Sequence, residues 1–344
     1  MAQREYDPGD TMATAEASSV GRAVWPPEEA TEQRKKGILN RVLETADDLS
    51  SIITEFQNMP FDEATTRYTA RIFVTDSLLK RKDIKAAICE YVEAILPLAS
   101  CGIPDLEDCC MVYIGKNADT RKADPQELQH QLKFAKEVYS GESASKEKNS
   151  VNGYRIEQVA DEMKKDANLQ HQYAELYQAF GWNEDQVVEL LTNHSNTLVA
   201  AFDGDRLISA GMAERAELTI ERNSRLLPFV MYEITEAATV EEHRGKGLYT
   251  NVAEELMKLL ADVNEINMVY AESNMSAPGV LKAGARLGRT SSIQSAQQFG
   301  YPPRSLEQHV RISAGSHEKR PDSAKNNLLV TWMTRSQVTS RYGN

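Results

Sequence analysis

The chain has 344 residues, more than one typical domain, and its 41% hydrophobic and 26% charged residues are ordinary for a globular protein. No apolar run approaches the roughly 20 residues that cross a bilayer, and the first residues lack the apolar segment of a secretory signal. We therefore expect a cytoplasmic protein without membrane partners. The net charge of −12 disfavours nucleic-acid binding, because affinity for a phosphate backbone comes largely from Lys and Arg.

The N-terminal part of the chain has mostly helical patterns. Residues 1–31 are rich in Ala, Ser, Pro and Glu without periodicity, which predicts a disordered or docking arm. Apolar residues at helical spacing make residues 32–140 a mainly helical domain of unknown role, with helices predicted at 32–58, at 83–96 and from 124 onward. Two short apolar runs, 71–74 and 111–114, have the length of strands and leave an α+β domain as the alternative.

A boundary is predicted at residues 141–152, which are small, polar and charged, as in a linker. The four cysteines all lie before this segment, without CxxC spacing or a nearby His cluster. We expect buried, reduced thiols there and neither a metal site nor a disulfide.

Residues 153–344 alternate between strand and helix patterns. Strands are predicted at 154–159, 198–202, 206–212, 230–240, 267–272 and 328–333, and helices at 170–180, 183–191, 249–262 and 277–287. Asp203-Gly204 is a typical hairpin dipeptide between two of these strands. This order of elements predicts a mixed α/β sheet flanked by helices.

The segment Arg244-Gly245-Lys246-Gly247-Leu248 follows the long strand at 230–240 and precedes a helix. Two glycines at this point let the backbone approach a ligand closely, and the first amide hydrogens of the helix have no partner. The positive helix end favours phosphate oxygens, to which Arg244 and Lys246 add charge. The segment therefore predicts a phosphate site, although a simple tight connection would have the same pattern.

The run from Glu233 to Leu248 resembles the strand-loop-helix signature of the GNAT superfamily of N-acyltransferases, with Arg244 and Gly247 at the first two signature positions and Tyr249 in place of the final small residue. Within that superfamily the chain looks most like the β-lysine N-acetyltransferases. The resemblance implies a mostly antiparallel sheet over residues 153–344. It also implies acetyl-CoA as cosubstrate, bound by Ala237, Ala238, Thr239, Val240, Arg244, Gly245, Lys246, Gly247, Leu248, Tyr249 and Asn274.

The same resemblance implies roles for two glutamates. Glu233 matches the strand glutamate that acts as general base, directly or through water, and Glu236 is the candidate for substrate binding. Alternating side chains predict that Glu233, Thr235, Ala237 and Thr239 share one face of the strand, with Glu236 on the other. Many members carry a Tyr four residues before the Gly that ends the last helix, acting as acid toward the leaving thiolate. That position is Gly284 here, so either the thiolate leaves with help from solvent or another hydroxyl, such as Tyr249, Ser273 or Tyr270, reaches the sulfur.

We therefore predict an acyl-CoA-dependent N-acetyltransferase with a small amine substrate, such as an amino or diamino acid. Two alternatives remain open: a module that binds acyl-CoA without turnover, and a protein-lysine acetyltransferase. Nothing in the sequence excludes a homo-oligomer.

Overall fold

The computed structural model describes residues 40–58, 67–117, 125–140, 153–178, 183–193, 195–275, 277–304, 306–308 and 326–343. The predicted arm at 1–31 and the predicted linker at 141–152 lie outside the described residues. None of the helices in the described ranges combines the length and apolarity needed to traverse a bilayer.

Twelve strands are present in the described residues. They are β1 (Asn40–Leu43), β2 (Arg67–Thr75), β3 (Val92–Pro97), β4 (Cys109–Asn117), β5 (Arg155–Gln158), β6 (Asn196–Asp203), β7 (Arg206–Arg222), β8 (Arg225–Thr239), β9 (Ile266–Asn274), β10 (Thr290–Ser291), β11 (Leu306–Gln308) and β12 (Asn326–Thr334).

The same ranges contain ten α-helices. They are α1 (Ala46–Asn58), α2 (Asp76–Leu79), α3 (Lys82–Ile88), α4 (Pro125–Tyr139), α5 (Ala167–Gln178), α6 (Glu184–Thr192), α7 (Leu248–Ala261), α8 (Pro278–Arg286), α9 (Ser292–Phe299) and α10 (Arg335–Tyr342).

The strands form one sheet in the order β10-β12-β9-β8-β7-β1-β2-β4-β3, with β5 and β6 beside β7 and β11 beside β12. Three pairings are parallel, namely β1 with β2, β1 with β7, and β8 with β9. The other pairings are antiparallel. The predicted fold class, a mixed and mostly antiparallel sheet flanked by helices, is confirmed.

Strand β1 connects the two halves of the chain. Asn40 and Arg41 pair with β7, while Val42 and Leu43 pair with β2. The N-terminal strands and the C-terminal sheet bury a common core, which includes Phe73, Leu96, Met111, Leu218, Phe229, Met231, Val330 and Trp332.

Helices cover the C-terminal sheet on both faces. Helix α7 packs on one face through Val252, Leu256 and Leu260. Helices α5 and α6 pack on the other face, beside β6 and β7. Helix α4 of the N-terminal half packs against α8, α9 and β12.

The α+β alternative for the N-terminal half is the one observed, since the described residues between 40 and 139 contain four strands as well as helices. Two helix predictions extend into strands and are wrong there. The first includes β1, and the second continues past the end of α3 into β3. In both strands, neighbouring residues are buried on opposite faces: Val42 and Leu43 pack into different clusters, as do Ile95 and Leu96. A strand that is apolar on both faces has no alternation to distinguish it from a helix.

Each element predicted for residues 153–344 is present, with ends shifted by a few residues in most cases. The main difference is that β7 and β8 are longer than predicted. They form a long hairpin in which Arg222 and Arg225 are the last pair before the turn. The four cysteines are free, with Cys101, Cys109 and Cys110 buried and Cys89 half-buried.

Candidate active site

Two adjacent strands of the C-terminal sheet separate partway along their length. Strands β8 and β9 run parallel and pair as far as Glu233 and Tyr270, and no pairing between them follows in the described residues. On its other edge, β8 pairs with β7, and a register shift places Glu236 and Ala237 opposite the single residue Gly211. A β-bulge of this kind bends its strand. The bent end of β8 and the end of β9 therefore leave an opening between them.

A glycine turn follows β8 and leads into α7. After a 3₁₀ turn at Glu241–His243, Gly245 and Gly247 have φ angles of 76° and 79°, in the left-handed region that glycine adopts without strain. Gly247 is the N-cap of α7, and no side chain of the described residues caps this helix end. The first amide hydrogens of α7 are thus available to an anion, which the helix dipole also favours.

The opening and the turn together form a cleft of about 890 Å³. The predicted cofactor-binding residues that line it are Ala237, Ala238, Thr239, Arg244, Gly245, Gly247, Leu248, Tyr249 and Asn274. Two others do not line it. Val240 packs against the core clusters, and Lys246 is held outside the cleft. The side chain of Glu236 lies outside the described residues.

Lys246 contacts a pair of aromatic residues beside the turn. Its Nζ lies 3.4 Å from the Tyr154 hydroxyl and 3.5 Å from Nδ1 of His243. The Tyr154 hydroxyl lies 3.2 Å from the same nitrogen, and the two rings meet edge to face. His243 is buried and lines the cleft. Lys246 thus contacts Tyr154 and His243 beside the turn and does not line the cleft.

Basic side chains surround the mouth of the cleft. Arg244 is exposed, and its Nε donates to the carbonyl oxygen of Thr239 at 3.2 Å. Lys282 and Arg286, four residues apart on α8, line the facing wall. The sequence analysis did not identify these two residues, although their spacing places them on one helix face. Three cationic residues at one cleft of a protein with net charge −12 create a local preference for phosphate.

Glu233 lies where β8 and β9 part, on the side of the sheet that faces the N-terminal strands. The Tyr270 hydroxyl donates to Glu233 Oε2 at 2.5 Å. Burial raises the pKa of the Glu233 carboxyl to about 7, with a further contribution from the negative charge of Glu272. The Tyr270 hydrogen bond and the Arg71 guanidinium act in the opposite direction on this pKa. A carboxyl with a pKa near 7 can accept a proton at neutral pH.

The prediction that Glu233, Thr235, Ala237 and Thr239 share one face is wrong beyond the bulge. Before it, Met231 and Ile234 contact the cores on opposite faces, as alternation requires. After it, Ala238 contacts the core on the Met231 side. The bulge inserts one extra residue, so the alternation is shifted by one position.

The space next to Gly284, where the resemblance implied a Tyr, contains a Tyr from another helix. A Cβ on Gly284 would collide with the hydroxyl of Tyr139, which is the last residue of α4, and would also approach Thr331 Oγ1. The Tyr139 hydroxyl, Thr331 Oγ1, and Nε and Nη2 of Arg289 are buried without a hydrogen-bond partner in the described residues. Burial raises the pKa of the Tyr139 hydroxyl, while the charge of Arg289 and the nearby Thr331 hydroxyl act in the opposite direction on this pKa. We call these three residues the Tyr139 cluster.

The Tyr139 cluster adjoins the cleft, because Val138 and Ala285 line the cleft next to Tyr139 and Gly284. Of the three hydroxyls considered from the sequence, Tyr249 lines the cleft, Tyr270 is bonded to Glu233, and Ser273 is buried. No local pattern in the sequence could have identified Tyr139, since it lies 145 residues before Gly284 in the chain.

No family model matches the sequence, and no curated protein matches it. Solved structures that are similar in part include NAA60 of Arabidopsis thaliana in complex with acetyl-CoA, with 10% identity over 53% of this chain and 98% of that chain, and a TM-score of 0.39. Aminoglycoside 6'-acetyltransferase type Ii has 15% identity over 53% of this chain and 97% of its own, with a TM-score of 0.34.

An aminoglycoside acetyltransferase from an uncultured soil sample, in complex with sisomicin, has 13% identity over 46% of this chain and 93% of its own, with a TM-score of 0.29. Similarities at this level do not assign a function, which has to come from the residues of the cleft.

Proposed function

We propose that this protein is an acyl-CoA-dependent N-acyltransferase that transfers the acetyl group of acetyl-CoA to an amine of a small metabolite, such as an amino or diamino acid. The observation that supports this most directly is the cleft between the diverging strands β8 and β9, with the left-handed glycine turn and the uncapped end of α7 at its mouth.

The cleft has the chemistry that a pyrophosphate and a pantetheine arm require. The amide hydrogens at the start of α7 and the guanidinium of Arg244 would bind the pyrophosphate. Lys282 and Arg286 also line the cleft, and their positive charges would attract a further phosphate group. In the part of the chain that the structure describes, no strand pairs with the β9-facing edge of β8 from Ile234 to Thr239, so its backbone can pair with the amides of the pantetheine arm.

In the reaction that we propose, the amine nitrogen attacks the thioester carbonyl, a C–N bond forms and the C–S bond breaks. The proton of the amine goes to the Glu233 carboxylate, directly or through a water, and CoA leaves as a thiolate that takes up a proton. Glu233 lies at the point where the strands part, and its pKa of about 7 suits a base. Tyr139 is the first candidate for the proton donor to the thiolate, and Tyr249 is the second.

Two measurements on the full chain test this function. Calorimetry with acetyl-CoA should show binding, and a concentration near 100 times the dissociation constant should stabilise the protein by roughly 2.7 kcal/mol. CoA release should then be followed with diamines, amino acids and peptides. Absence of acetyl-CoA binding would contradict the proposal. Binding without CoA release from any amine would identify a binding module, and release with peptides alone would identify a protein acetyltransferase.

A further inference from the structure

We propose that Arg289 is a positioning residue for the departure of CoA. Its buried guanidinium stabilises the negative charge that Tyr139 carries once the Tyr139 hydroxyl has given its proton to the CoA thiolate. This inference rests on the proposed acetyl transfer. It goes further because it adds a residue that acts through Tyr139, and because it gives the last residue of α4, in the N-terminal half, a part in the release of CoA.

The three residues of the Tyr139 cluster meet around Gly284 of α8. The Arg289 amide donates to the carbonyl oxygen of Gly284 at 3.1 Å. The Tyr139 hydroxyl occupies the place that a Cβ on Gly284 would need, and Thr331 Oγ1 lies 3.9 Å from that place. Strand β10 begins directly after Arg289 and pairs with β12 through Ser291 and Thr331. Three separate elements thus bring these side chains together.

The polar atoms of this cluster are buried without partners. Arg289 is 4% exposed, Tyr139 8% and Thr331 0%. In the described residues, seven buried side-chain nitrogen and oxygen atoms have no hydrogen-bond partner, and four of them belong to this cluster. An unpaired buried group costs free energy, most of all when it is charged. Their concentration beside the cleft indicates that they serve a charge that is present only during the reaction.

That charge forms when CoA leaves. Breaking the C–S bond leaves its electron pair and a negative charge on sulfur. Transfer of the Tyr139 proton to the sulfur gives the CoA thiol and moves the negative charge to the Tyr139 oxygen. The charge of Arg289 lowers the pKa of the Tyr139 hydroxyl, against the effect of burial, and therefore makes this transfer less costly. A proton from solvent then restores the hydroxyl.

The cluster lies directly behind the wall of the cleft. Val138, the residue before Tyr139, lines the cleft, and so does Tyr249, which acts on the pKa of the Tyr139 hydroxyl. Because Gly284 has no side chain, the Tyr139 hydroxyl can lie against α8 at this wall. Tyr139 can thus serve a thiolate that lies there. Arg289 does not need to touch the ligand, because its charge acts through Tyr139.

Two substitutions in the full chain test the inference, with the amine that the wild-type protein acetylates. Arg289→Met should lower kcat by about tenfold or more with little change in the KM for acetyl-CoA, since a nearby opposite charge usually changes a pKa by about one unit or more. Its melting temperature should stay equal or rise, because an apolar chain replaces a buried charge without partners. Arg289→Lys, which keeps the charge, should retain more of the wild-type kcat than Arg289→Met.

Arg222→Met is the matched control. The Arg222 side chain is also buried, at 13% exposure, but it forms ion pairs with Glu44 and Asp108. Its loss should lower the melting temperature and leave kcat and KM unchanged. The opposite pattern in Arg289→Met separates a part in the reaction from a part in folding.

A double variant shows whether Arg289 acts through Tyr139. If it does, Arg289→Met should change kcat little in the Tyr139→Phe background. An equal fall of kcat in both backgrounds, or a wild-type kcat in either single variant, would overturn the inference while leaving the acetyltransferase itself in place. If the wild-type protein releases no CoA with any amine or peptide, the proposed function fails, and the inference fails with it.

Discussion

The raised pKa of Glu233 affects both the stability of the protein and its proposed catalysis. Since its pKa is raised from 4.5 to about 7, the folded protein holds a proton between these values that the unfolded chain has lost. The free energy of unfolding therefore falls as pH rises through this window. Above about pH 7, where the carboxyl is ionised in the folded protein as well, the stability stays at this lower level. The ionised form is also the one that can act as a base, so stability and catalysis depend on pH in opposite directions.

Glu233→Gln separates these two effects. We expect turnover to fall by about 10²- to 10⁴-fold, which is the usual contribution of a general base, while acetyl-CoA affinity is retained. The limb of the pH–rate profile near pH 7 should disappear, and the variant should gain stability over the wild type between pH 5 and pH 8. Rate profiles and melting curves across this range measure both. Wild-type turnover at every pH would remove Glu233 from the mechanism.

Tyr139 offers a test of the proton donor. If its hydroxyl protonates the leaving thiolate, Tyr139→Phe should lower kcat by about 10²-fold or more with little change in the KM for acetyl-CoA. Stability should change little, because among the described residues this hydroxyl is close to Thr331 but has no partner with hydrogen-bond geometry. Tyr173→Phe is the matched control, since Tyr173 also has a buried hydroxyl without a partner in the described residues but packs with α6, β6 and β7, outside the Tyr139 cluster. Equal kcat in both variants would leave Tyr249 as the candidate.

At the scale of elements, the turn between β8 and α7 depends on two left-handed residues. Gly247→Val should weaken acetyl-CoA binding by about tenfold or more, because a β-branched residue strains this conformation and obstructs the approach of phosphate. Gly204→Val is the control: Gly204 also has a positive φ, of 60°, but lies in the hairpin between β6 and β7. Calorimetry on both folded variants decides, and similar losses of affinity would contradict the assignment of the turn.

The elements also show what a sequence can predict about such a site. Strand and helix patterns identified β8, the turn and α7, because alternation, glycines and helical periodicity are local signals. The bulge is not a local signal. It places Ala237, Ala238 and Thr239 on the opposite faces of the strand from those that simple alternation predicts. Arg71 and Tyr139 reach the site only through the packing of the N-terminal half. Their types and spacing carry no information about partners more than 100 residues away.

At the scale of the whole molecule, residues on both sides of the predicted boundary at 141–152 share one hydrophobic core. Beyond the shared cluster, buried Asn267 donates to the carbonyl of Cys101 at 3.0 Å and accepts from the Val230 amide at 2.7 Å. Arg222 of β7 forms ion pairs with Glu44 and Asp108. The halves are thus tied together by apolar packing, by hydrogen bonds and by charge.

We therefore expect the fragment 151–344 to unfold without a cooperative transition or to aggregate, since it would expose Leu218, Phe229 and Trp332 to water. Scanning calorimetry and size-exclusion chromatography of the fragment and the full chain measure this. A monodisperse fragment that melts cooperatively and binds acetyl-CoA would show instead that 153–344 is an autonomous domain, as the sequence alone predicts.

The pairing of β1 with both β2 and β7 also constrains the order in which the protein can assemble. Asn40 pairs with Ile220, so this contact closes a loop of about 180 residues. Such distant pairings slow folding, because the entropy of closing the loop is lost before any contact compensates for it. On the ribosome, β1 emerges long before its partner on β7. The apolar side chains of the N-terminal strands then stay exposed to water during synthesis, and in that interval the nascent chain is most vulnerable to aggregation and most dependent on chaperones.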